Sequence, residues 1–81
     1  MPEKVTYYAI VDAFSTRYRP AGVLRRVETD GERRDVAFGR NLAWGQVTTR
    51  YSAGHADELF EITADEAGKI ITRMRRDAAR Q

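Results

Sequence analysis

The residues with the widest chemical range in this chain sit together: His55, followed by Asp57 and Glu58. An imidazole beside two carboxylates could act as a general base or supply two or three metal ligands. A catalytic metal site needs three protein ligands and further groups that orient them, and no second ligating cluster accompanies this one. The cluster also follows Gly54, in a stretch over 52–57 that reads as an exposed loop. A solvated polar loop accounts for it, and neither a catalytic residue nor a metal ligand is assigned. Ser15 and Ser52 fall in loops without a G-x-S-x-G elbow around either. Gly39 and Gly45 enclose R-N-L-A-W without a following Lys-Ser or Lys-Thr, so no phosphate-binding fingerprint is formed. The chain has no cysteine, which removes disulfides, zinc–thiolate sites and thiol catalysis. The expectation is a protein that is not an enzyme and holds no cofactor.

The cations offer a different chemistry. Fourteen basic residues against twelve acidic ones leave a net charge of only +2, but the charges are unevenly placed. Residues 17–50 carry eight arginines and four acids, residues 51–66 carry five acids and no Lys or Arg, and residues 67–81 carry five bases and one acid. Lys69, Arg73, Arg76 and Arg80 recur at helical spacing and would form one ridge along a helix. Arg17-Tyr18-Arg19, and Arg50-Tyr51 near Trp44, interleave aromatic and cationic residues as a single-strand nucleic-acid binder does. Arg17, Arg19, Arg25, Arg26, Arg73, Arg76 and Arg80 are therefore candidate contacts to nucleic acid or to an acidic partner. A solvated face explains the ridge as well, since Asp65–Lys69 and Arg73–Asp77 stand four residues apart and basic residues suit a helix C-terminus.

The elements that would position these residues follow from periodicity. Positions 5–14 are dense in β-branched and aromatic residues and read as a strand. Its odd face carries Val5, Tyr7, Ala9, Val11 and Ala13, and its even face Thr6, Tyr8, Ile10, Asp12 and Phe14. Both faces are largely apolar, which places the strand centrally in a sheet. A loop over 15–22 leads to strands at 23–29 and 33–40, joined by Asp30-Gly31, a pair suited to a type I′ turn. A strand is expected at 46–51 and another at 58–62, the last lying beside the first strand and exempt from the antiparallel rule that short loops impose on the others. Thr63 to Glu66 has the form of a capping box, and Ala67, Ile70, Ile71, Met74 and Ala78 make an apolar stripe roughly 100° wide.

These elements assemble into one α+β domain spanning 1–81: a small antiparallel sheet of four to five strands with one C-terminal helix packed on one face. The helix is expected on the odd face, where Ala9 and Ala13 permit close approach. That leaves Tyr8, Ile10 and Phe14 open on the even face, to be covered by the segment around Leu42, Trp44 and Val47 or by a second copy of the chain. Tyr8, Ile10, Phe14 and Trp44 are accordingly the candidate interface for a protein partner, with a homodimer the simplest case. The longest apolar run, positions 7–11, is far too short to span a membrane or form a signal-peptide core, so a cytoplasmic protein without membrane contact is expected. The functional expectation is a small non-enzymatic protein-interaction or accessory domain. The alternative is a nucleic-acid-binding module that uses the Arg-rich hairpin and the basic helix face.

Overall fold

The computed structural model describes residues 3–13, 15–39, 41–46 and 58–80. They form β1 (Lys4–Val11), β2 (Gly22–Thr29), β3 (Glu32–Phe38), β4 (Trp44–Gln46), β5 (Glu58–Ile62) and α1 (Ala64–Ala79). The strands make one five-stranded sheet in the order β4-β3-β2-β1-β5. Every neighbouring pair is antiparallel, including β1 with β5, where Tyr7 faces Ile62 and Val11 faces Glu58. The last strand therefore lies beside the first, as its long connection allows, but obeys the same antiparallel rule as the rest.

Local chemistry sets the strand ends. β1 stops three residues short of its expected end because the Ser15 hydroxyl accepts the Asp12 N–H at 2.9 Å, while the Ser15 N–H returns to the Asp12 carbonyl. Ala13 is consequently outside the strand and exposed. The β2–β3 hairpin turns at Asp30 (φ 40°) and Gly31 (φ 88°), the positive pair that a type I′ turn requires. At the start of β2, Gly22 is obligatory for a different reason: a Cβ there would collide with the Phe38 carbonyl oxygen. After β3 the chain reverses at Leu42 (φ 58°), whose N–H donates to the Gly39 carbonyl at 2.9 Å. This reversal starts the fourth strand at Trp44, two residues earlier than expected. Positions 47–51 of the expected strand, and the loop at 52–57 with His55, lie outside the described residues.

The register assigns the faces. Tyr7, Ala9, Val23, Phe38, Trp44, Phe60 and Ile62 share one face, the odd face of β1. α1 packs there. Val23, Phe38 and Ala67 form the buried cluster, and Tyr7, Leu42, Ile62, Ile70, Ile71 and Met74 close around it. Burying the Val23 and Phe38 side chains stabilises the fold by about 1.5–3 kcal/mol each. Ala67 lets the first turns of the helix approach the sheet. The apolar stripe ends at Met74, because Ala78 is exposed beyond the core.

The second face carries Tyr8, Ile10, Leu24, Ala37 and Leu59. It is not open at its centre: Ile10 is 3% exposed and Leu24 0% within a single chain. Of the expected cover, Leu42 and Trp44 lie elsewhere, and Val47 falls outside the described residues. Leu42 packs on the helix-side core and the Trp44 ring meets Phe38 edge-on, 5.6 Å between centroids, on the opposite face.

Candidate anion-binding surface

Between β1 and β2 the chain makes a hydrogen-bonded turn from Thr16 to Arg19. Thr16 and Arg19 exchange backbone hydrogen bonds of 3.3 and 3.1 Å, and the Arg19 N–H also reaches the Thr16 hydroxyl at 3.1 Å. The Ala21 N–H then joins the Ile10 carbonyl at 2.8 Å and feeds the chain into β2. This leaves Tyr18 at the tip, 82% exposed. Beside it, the Arg17 guanidinium lies over the Phe60 ring of β5, 5.4 Å from its centroid.

α1 is anchored where its own sequence dictates. Thr63 Oγ1 accepts the Glu66 N–H and Glu66 Oε1 accepts the Thr63 N–H, both at 3.1 Å, completing the capping box. The apolar stripe on the sheet turns Lys69, Arg73 and Arg76 outward, all exposed. Lys69 pairs with Asp65 at 3.3 Å. Arg73 reaches across to the turn, where its Nη1 donates to the Tyr18 carbonyl at 2.9 Å. That bond joins the helix ridge to the Arg-Tyr-Arg turn, between residues fifty-five positions apart in the sequence.

Three surface grooves meet at Arg73. One, of about 480 Å³, runs between the turn and the helix and is lined by Arg17, Tyr18 and Lys69 together with Ile62 and Ile70. A second, of about 520 Å³, runs along α1 from Ala64 and Asp65 past Thr72 to Arg76. The third, about 130 Å³, lies between Arg19, Pro20 and Met74. Among the described residues, Arg17, Arg19, Arg73 and Arg76 form no ion pair, so no described carboxylate neutralises their charge.

The seven arginines singled out from the sequence thus divide. Arg17, Arg19, Arg73 and Arg76 gather on this surface, and Arg80 follows as the helix C-cap. Arg25 lies over the Trp44 ring at 5.1 Å with its Nε buried and without a hydrogen-bond partner. Arg26 belongs to the other face. It bonds Asp35 through Nε at 3.0 Å and Nη2 at 3.3 Å and lies over Tyr8 at 5.2 Å. The hydrogen bond to Asp35 raises the Arg26 pKa above its ordinary value, outweighing the opposing effect of desolvation. The four candidate interface residues do not form one patch: Tyr8 sits half-buried by Arg26, Ile10 is buried, Trp44 (38% exposed) is on the opposite face, and Phe14 lies outside the described residues.

The contribution of Phe60 as the seat of Arg17, and of the Tyr18 carbonyl as the acceptor for Arg73, was invisible in the sequence. Neither depends on a local pattern. Among the described residues no group of three or more His, Cys, Asp or Glu could hold a metal ion. Among the described residues no helix is long and apolar enough to cross a membrane. Comparison with protein-family models, with curated proteins and with solved structures found no match.

Proposed function

We propose that this chain is a non-catalytic binding domain that holds an anionic partner on the surface between the Thr16–Arg19 turn and α1. The supporting observation is the Arg73–Tyr18 hydrogen bond. It fixes the turn's two arginines next to the helix ridge, so that separate basic segments act as one cationic surface. A charged face that is merely solvated does not require this bridge. Self-association through the second sheet face finds no support, because Ile10 and Leu24 are already buried there in one chain.

The test is elution from a heparin column under a salt gradient. Arg73→Ala/Arg76→Ala should elute at clearly lower salt than the parent protein, since attraction of this kind weakens as ionic strength rises. Arg33→Ala/Arg34→Ala, on exposed positions of β3, removes the same charge and should elute close to the parent. Equal shifts for the two pairs would mean that total charge alone governs binding, and the proposed surface would fail.

A further inference from the structure

We infer that the partner is a single-stranded nucleic acid, with one base stacked on Tyr18 and its phosphates carried by Arg73 and Arg76. This rests on the anion-binding reading above and adds the ligand class.

The first argument is Tyr18 itself. A tyrosine held 82% in water at the tip of a turn contributes nothing to the core, yet its backbone is fixed by the Thr16–Arg19 bonds on one side and by Arg73 on the other. A rigid, exposed ring beside guanidinium groups is what base stacking uses, because every base offers an aromatic face and little ordering entropy remains to be lost. The second argument is the groove next to it. Its lining sets the cationic Arg17, Lys69 and Arg73 beside the half-buried apolar Ile62 and Ile70. An acidic protein face or a sulfated sugar would answer the cations but leave the isoleucines without an apolar partner. A nucleotide answers both, with its phosphate on the cations and its ring on the isoleucines. The third argument is direction. The second groove runs along α1 from Ala64 to Arg76 and includes Arg73, which is held at the Tyr18 carbonyl, and the helix rises about 4.5 Å from Arg73 to Arg76. A backbone can therefore leave the stacked base and run along the ridge. A duplex cannot bind in this way, because its bases are stacked on one another and show no free face.

The experiment is fluorescence anisotropy with a short fluorescein-labelled single strand of mixed sequence, the duplex of the same sequence, and unlabelled heparin and polyglutamate as competitors. The parent protein should bind the single strand more tightly than the duplex, and polyglutamate should compete weakly. Tyr18→Ala should lower single-strand affinity roughly tenfold, leave heparin elution unchanged, and keep the parent's thermal unfolding midpoint, since the ring touches no core. Tyr18→Phe should restore single-strand binding. Duplex binding as tight as single-strand binding, strong competition by polyglutamate, or unchanged affinity in Tyr18→Ala would each overturn the inference. In those cases an intact response of heparin elution to Arg73→Ala/Arg76→Ala leaves the anion-binding reading standing. Loss of that response removes both.

Discussion

At the scale of single residues, two polar groups do most of the local specification. Thr63 satisfies a backbone N–H that the helix start leaves without a partner, and Glu66 returns the favour to the Thr63 N–H. Thr63→Ala should cost about 0.5–2 kcal/mol of stability in denaturant melts. Asp35 is the second. It takes both hydrogen bonds from Arg26 across the β2–β3 pair, with the two side chains 15% and 19% exposed. Asp35→Ala leaves a half-buried guanidinium without its acceptor and should cost about 1–3 kcal/mol. The pH dependence follows from the sign of the Arg26 shift. Its folded pKa is raised, so the stabilisation is complete below the unfolded value and is lost only as pH rises through the folded one. Both values lie well above neutrality. Stability contributed by this pair through Arg26 ionisation should therefore be flat across the neutral range, as urea midpoints measured at several pH values can check.

At the scale of elements, the helix shows what a repeating pattern makes readable. Burial of Ala67 and contact of Ile70, Ile71 and Met74 with the sheet follow from spacing alone, as does the outward turn of Arg76. Met74→Ala should cost about 2 kcal/mol, the low end for such a truncation because Met74 is only half-buried, while Arg76→Ala should stay within roughly ±0.5 kcal/mol. Chemical denaturation of both variants would expose a wrong helix rotation if the order were reversed. The hairpin and β5 were legible for the same reason: a turn dipeptide and a run of strand-formers are local signals. The side taken by Trp44 was not. It depends on the reversal at Leu42, a non-glycine residue at positive φ that no composition rule marks, held in place by Leu42 packing against the core. The end of β1 depended on a serine hydroxyl accepting a backbone N–H, which looks like any loop serine in sequence. The candidate surface was half legible. The helix ridge and the Arg-Tyr-Arg turn each stood out, but their union through Arg73 is a tertiary contact.

At the scale of the whole molecule, the strand order concentrates stability in the middle of the sheet. β1 and β2 each have a strand on both sides, and α1 rests on these two. β4 has three residues and a single described neighbour, and the helix leaves the core beyond Arg75, whose guanidinium lies over Phe38. Opening β4 or the last helical turn therefore breaks few contacts, whereas releasing the amides of β1 and β2 means removing α1 and separating the strands. The pairing of position 7 with position 62 also closes a long loop, whose entropy cost is recovered only when β5 and α1 are both in place. Sheet centre and helix should thus open together. Native-state hydrogen exchange should find hydrogen-bonded amides at 7–10 and 23–27 exchanging at the rate set by global unfolding, with those at 67–74 close behind. Amides at 44–46 and 75–80 should exchange through local opening that depends little on denaturant. If the helix amides outlasted those of β1 and β2, α1 would be stable without the sheet. The contact between Arg73 and the turn would then be a loose docking rather than part of the cooperative fold, and the surface proposed here would not be held rigid.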